Sequence, residues 1–292
     1  MDDAKIKAQV RQFYNQVGWQ QVGEGLYQNA RYEDLRPVAY EYIHRCHLRV
    51  KRYLKPGGSY LLDAGSGPIQ YPEYLTYSQD YRYRVCLDIS IVALEEARKR
   101  IGPKGLLVVA DVANLPFKPD VFEGIVSLHT LHHLPAGDQA RAYRELYRSL
   151  KPGASMVVVN GWTVSKLMNR LDPLVRFMER IGGMIARRRI RLEGPPEEKR
   201  SKDPAAQAQA AAAVKPTGTF VAKRDAASLR QELAGMNPEI RVWRSLSVRF
   251  LRAVMHDKTG GRLWLKLVYW LEERFPHYFG ENGQYPLVII RK

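Results

Sequence analysis

Cysteine is almost absent: only Cys46 and Cys86 occur in 292 residues, too few for a disulfide framework. Cys86 lies inside an apolar run and neither thiol has metal-ligand company, so both read as reduced packing residues and no metal site is expected. No apolar stretch approaches the ~20 residues needed to span a bilayer. The opening Met1-Asp2-Asp3-Ala4-Lys5 lacks the charged-then-apolar order of a secretory leader, so a cytoplasmic location is expected. Acidic residues are also scarce, 30 against 46 Lys+Arg, for a net charge of +16. The deficit is local: residues 1–160 carry a net +4 and residues 161–292 a net +12. Such an excess suits an anionic partner, whether a phosphate-bearing substrate, a membrane surface touched peripherally, or nucleic acid; a merely solvated basic surface is the plain alternative.

What is present begins at Tyr60-Leu61-Leu62-Asp63-Ala64-Gly65-Ser66-Gly67-Pro68, an apolar strand that stops at an acid and a Gly-x-Gly turn. Such a turn lets backbone amides approach a ligand that a side chain would block. The third glycine of a dinucleotide fingerprint is missing, with Pro68, Ile69 and Gln70 in its place. Arg84 to Asp88 forms a second strand ending in an acid, where a βαβ nucleotide fold holds ribose hydroxyls. Helical composition follows from Ile91 to Arg100. Leu106 to Val112 makes a third strand with Asp111 near its end. Phe122 to His129 makes a fourth, leading into His129, His132 and His133, and Ser155 to Asn160 makes a fifth.

This series resembles the class I S-adenosylmethionine-dependent methyltransferases, in particular the small-molecule enzymes with an Asp-x-Gly-x-Gly turn, over residues 55–160. The resemblance implies an α/β fold: a doubly wound, Rossmann-like, mostly parallel seven-stranded sheet with an antiparallel last strand, plus helical cap insertions. It implies S-adenosyl-L-methionine as cofactor. The methionine part falls at Asp63, Gly65 and Gly67, with Ala64 and Ser66 in the same turn. The ribose falls at Asp88 beside Ile89, and the adenine near Asp111 and Val112. Leu128, at the end of the fourth strand, and Tyr14, in an N-terminal helix closing over the site with Trp19, complete the expected set.

The chain divides by pattern into N-terminal helices (1–55), a cofactor core (56–161), a basic helical insertion with an Ala-rich loop (162–225), and the end of the sheet (226–292) interrupted by an aromatic helical insertion (246–283). Apolar positions predict a helix over residues 4–18 and a second from Arg36 to Leu54. Asp172-Pro173 predicts a fresh helix start within the basic insertion. There an apolar stripe including Leu174, Val175, Met178 and Ile185 runs beside seven arginines, a pattern that fits a helix lying on a membrane or over a lipid-like substrate. Residues 197–216 read as a mobile loop or marginal helix. The aromatic run from Trp264 to Phe279 reads as core or pocket wall, and Ile240–Trp243 and Tyr285–Arg291 as the last two strands.

A sulfonium methyl is already electrophilic, so the chief requirement is an acceptor held in line, with a base where a hydroxyl must lose its proton. His129, with His132 behind it, is the candidate base because imidazole titrates near neutrality. The expected reaction is methylation, at oxygen, of a small or lipid-linked acceptor that carries phosphate or sugar. The alternatives are an RNA methyltransferase and a non-catalytic scaffold that keeps the fold. The fourth strand lacks the Asn/Asp-Pro-Pro-aromatic segment of many enzymes that methylate exocyclic base amines, which makes nucleic acid the lesser expectation.

Overall fold

The protein is described from a computed structural model, which covers residues 8, 9, 11, 12, 15, 21–23, 26, 27, 33–193 and 225–292. Seven strands form the central sheet: β1 Gly58–Ala64, β2 Tyr81–Asp88, β3 Gly105–Val109, β4 Phe122–Leu128, β5 Leu150–Val159, β6 Glu239–Arg244 and β7 Tyr285–Arg291. Their order is β3-β2-β1-β4-β5-β7-β6. The first five run parallel, and β7 is antiparallel to both of its neighbours. Strand order therefore reverses between β1 and β4, the place where open α/β sheets take ligands.

The central strands are apolar at consecutive positions because both faces are covered. Leu62, Ala64, Ile125, Met156 and Val158 enter one core; Leu61, Val126, Val157 and Val159 enter the other. Helix α1 is Pro37–Leu48 and α2 is Ile91–Ile101, the latter capped by Ser90 Oγ accepting from the Ala93 amide at 3.3 Å. Helix α3, Ala136–Ser149, lays Ala142, Tyr143 and Leu146 on the first face. Helix α4 is Lys166–Glu193, α5 is Ala226–Glu232 with an Asp225/Ser228 capping box, α6 is Val248–Val254, α7 is Gly261–Arg274, and α8 is Pro276–Asn282.

A third core holds the cap together. Val38, Tyr42 and Ile43 of α1 meet Val175 of α4, Phe250 and Leu251 of α6, and Leu265 and Tyr269 of α7. The two insertions thus share one interior. Both leave the sheet after the carboxyl ends of β5 and β6, beside the ligand edge.

Three boundaries differ from expectation. The helix read from Arg36 to Leu54 stops at Leu48 and continues as a tighter turn over Val50–Tyr53. Helix α4 does not restart at Asp172-Pro173 but passes through Pro173. The missing amide costs one hydrogen bond, while Asp172 and Glu179 are drawn onto Arg249 of α6 at 2.8 Å each, bracketing the proline turn. The third strand ends at Val109, so Asp111 and Val112 lie in the loop after it. Most of residues 4–18, Tyr14 and Trp19, the 197–216 segment, and the side chains of Arg188, Arg189 and Arg191 lie outside the described residues.

Candidate active site

The site is assembled where β1 and β4 end side by side. Gly65 has φ +76°, and a Cβ there would fall 2.2 Å from Thr130 Cγ2, so glycine is required for two independent reasons. Thr130 Oγ1 donates to Gly65 O at 3.1 Å and Ser127 Oγ donates to Ala64 O at 2.8 Å, locking the two strand ends together. The amides of Gly65 and Ser66 are not bare, as the turn sequence suggests. Both donate to Leu87 O, at 2.7 and 3.0 Å. The Gly67 amide instead donates to Asp88 Oδ2 at 3.0 Å, and Asp88 Oδ1 accepts from the Ser90 amide at 2.8 Å. Burial outweighs these donors and pushes the Asp88 carboxyl up to about 6. Where the third glycine is missing, buried Ile69 adopts φ +54°, a conformation a β-branched residue rarely takes. Arg100 Nη1 holds this strained turn through Ile69 O at 3.0 Å and Gln70 O at 2.9 Å.

Asp63 occupies its expected place but is turned onto a partner. Its Oδ2 accepts from Arg84 Nε at 3.1 Å and also from Arg84 Nη2, and both side chains are buried. Desolvation works against the guanidinium charge, but the Asp63 carboxylate prevails and raises the Arg84 pKa. Arg84 Nη1 continues to Tyr74 O. Asp63 is thus an anchor of the strand end in this structure. The sequence signal for its partner is one arginine within an apolar strand, Arg84 before Val85-Cys86-Leu87.

The other expected residues ring the same edge. Ala64 is fully buried and offers backbone only; Ile89 and Leu128 are half-buried. Asp111 Oδ1 accepts from the Ala113 amide at 2.9 Å, with Val112 buried beside it. Near the ribose position, Ser90 Oγ donates to Asn15 Oδ1 at 2.6 Å, which brings the N-terminal segment to the site by a residue other than Tyr14.

His129 stands at the end of β4 with φ +55°, its amide donating to Val159 O at 2.7 Å. Its ring packs edge-on to Trp243 at 4.9 Å and Tyr285 at 5.6 Å. Burial, with Arg244 close by, lowers the imidazole to about 3. The imidazole is therefore a weak proton acceptor. His132 is also lowered, by burial and by the neighbouring His133 and His129; its Nδ1 lies 3.3 Å from Asn160 Oδ1.

Behind His129 lies a polar chamber that pattern reading missed. His47 stacks on Trp243 at 5.4 Å, Tyr71 covers His47 at 4.6 Å, and Arg244 lies over Tyr285 at 4.6 Å. Arg244 pairs with Glu33, whose carboxyl the guanidinium and His47 pull down to about 2 against the opposing effect of burial. Three buried nitrogens, His47 Nε2, Trp243 Nε1 and Arg244 Nε, have no hydrogen-bond partner among the described residues. These residues lie far apart in sequence, so no local motif announces them.

With this geometry in place, comparison with known proteins is direct. Residues 62–158, about a third of the chain, match the family described as "Methyltransferase domain". This core is a class I S-adenosylmethionine-dependent methyltransferase domain. Its cofactor is S-adenosylmethionine, and the carboxylate at the tip of β2 with the Gly67 amide beside it fits a ribose diol. The chain is 32% identical over 125 residues to the tRNA (carboxymethyluridine(34)-5-O)-methyltransferase of Arabidopsis thaliana, covering 41% of this chain and 29% of that protein. It is 30% identical over 145 residues to the probable tRNA methyltransferase 9B of Mus musculus, covering 48% and 30%. The chain thus spans less than a third of the length of either relative. Among solved structures, a possible exported protein from Bordetella parapertussis aligns over 100% of this chain and 79% of its own, with TM-score 0.50 and 15% identity, a likeness of fold alone.

Proposed function

We propose that this chain transfers a methyl group from S-adenosylmethionine to an oxygen of a small or lipid-linked acceptor. The observation that supports it best is the pairing of the Gly65–Gly67 turn with a buried, weakly served carboxylate at Asp88. The bound cofactor supplies a methyl on a positively charged sulfur. Asp88 would accept from the ribose hydroxyls, releasing the Gly67 amide it now holds. Arg84 fixes Asp63, and Thr130 fixes the Gly65 carbonyl, so both strand ends meet the cofactor preorganised. His129 and Tyr71 would wall the acceptor side. Because His129 is only weakly basic, the acceptor oxygen would be one that needs little help losing its proton, such as that of a carboxylic acid or an acidic hydroxyl. The cap built from α4, α6 and α7 would select the acceptor.

A second reading, methylation of RNA, is favoured by one observation: the relatives above are named for tRNA methylation, and the net charge of +16 suits a polyanion. The likeness covers less than half of this chain, and one methyltransferase fold serves many acceptors. Purified protein incubated with methyl-labelled S-adenosylmethionine and either a lipid extract or total tRNA separates the two. Label in the lipid or small-molecule fraction is expected; label confined to tRNA would replace the first reading with the second.

A further inference from the structure

Helix α7 is apolar on two opposite sides. Leu265 and Tyr269 point inward to the cap core, with buried Glu272 on the same side. The reverse side carries Leu263, Leu267 and Trp270 at i, i+4 and i+7, a single helical face, with Trp264 next to it. Leu263 is 71% exposed, Trp264 57% and Trp270 59%, where an ordinary surface helix would show charge. Just past the helix end, Phe275 and Tyr278 are also about half exposed. Singly exposed apolar residues need no account, but four on one 14-residue helix, with two more just beyond its end, do.

Both acids of α7 are held by arginines: buried Glu272 with Arg49 at 2.8 Å, and Glu273, 36% exposed, with Arg49 at 2.9 Å and Arg52 at 2.6 Å. Lys266 and Arg274 remain exposed on the solvent side, Arg274 with its guanidinium 5.4 Å over the Phe275 ring. We propose that this face of α7 and the start of α8 docks the protein on an anionic lipid bilayer, with the tryptophans and leucines in the acyl boundary and Lys266 and Arg274 on the headgroups.

Several features favour that occupant over others. At 14 residues the helix is about 21 Å long, too short to span a bilayer but suited to lying in its interface. Tryptophan, tyrosine and flanking basic residues are the side chains that sit at headgroup level. A second copy of the chain seated symmetrically on this face would oppose Lys266 and Arg274 with their own like charges. The segment 194–213 holds no large apolar residue with which to cover such a face. The docking surface is independent of which acceptor the site uses.

The test is co-sedimentation of the full chain with vesicles of phosphatidylcholine alone and of phosphatidylcholine with phosphatidylglycerol, alongside tryptophan emission. Binding to the anionic vesicles with a blue-shifted emission is expected, weakened about tenfold or more in L267S/W270S through lost apolar insertion. K266E/R274E should lose most of the preference for anionic over neutral vesicles. Both variants should keep wild-type melting and S-adenosylmethionine affinity, since their side chains face solvent. Wild-type protein that stays in the supernatant with anionic vesicles would overturn the proposal, as would an L267S/W270S variant that binds them undiminished. A wild-type dimer that W270S dissociates would assign the face to a second copy, and RNA binding lost in L267S/W270S would assign it to RNA; either result overturns the lipid assignment.

Discussion

In the proposed function Asp88 accepts from the ribose hydroxyls, and its environment sets a pH dependence. Its folded carboxyl is raised from 3.8 to about 6 by burial, so it contributes stability that is present at low pH and withdrawn as pH rises toward and through about 6. The cofactor needs the opposite form, because ribose hydroxyls donate to a carboxylate. Affinity for S-adenosylmethionine should therefore fall as pH is taken below about 6, and calorimetry from pH 5 to pH 8 would show it. At His129 the expectation inverts the usual one for an active-site histidine. Held near 3, it should produce no inflection in the rate between pH 5 and 8, and His129→Ala should lower turnover less than about tenfold, where a true general base would cost about a hundredfold or more. Arg84 is structural: Arg84→Met leaves the buried Asp63 carboxylate unpaired and should cost about 3–5 kcal/mol in urea unfolding.

At the scale of elements, the strand-turn units were legible because each carries its own punctuation. β1 stops at Gly65-Ser66-Gly67, β2 stops at Asp88, and Tyr285–Arg291 is continuous enough to be read unaided. Partnerships were not legible. Nothing near Asp63 in sequence announces Arg84, and nothing in the aromatic run from Trp264 to Phe279 singles out Glu272. Yet Glu272 is fully buried, accepting from Tyr42 Oη at 2.6 Å, Arg49 Nη1 at 2.8 Å and the Ser245 amide at 2.8 Å. These bonds tie α1 and the end of β6 to α7, so Glu272→Ala should destabilise the cap by about 3–5 kcal/mol in the same assay. Gly65→Ala tests the turn itself. Both its positive φ and the Thr130 contact oppose a methyl group, so a loss of about 1–3 kcal/mol in stability is expected together with weakened cofactor binding.

For the whole molecule, the sequence shows where charge collects but not which side chains face solvent. The aromatic run from Trp264 to Phe279 looks like core, and only the fold reveals that Leu265 and Tyr269 are inside while Trp264 and Trp270 are out. The same limit applies to the chamber behind His129, whose His47, Tyr71, Trp243, Arg244 and Tyr285 come from separate elements joined by tertiary packing. The fold thus places a cofactor edge, a polar chamber and a helical cap together at the carboxyl ends of the strands. The central claim is that Asp88 and the Gly65–Gly67 turn hold S-adenosylmethionine. Its most direct test is calorimetric titration of the full-length protein with S-adenosylmethionine and, in parallel, NAD, repeated on Asp88→Ala. Saturable binding of S-adenosylmethionine alone is expected, weakened about tenfold or more (roughly 1.5–3 kcal/mol) in a variant that melts like wild type. Binding of NAD in its place, or unchanged S-adenosylmethionine affinity in folded Asp88→Ala, would contradict the account.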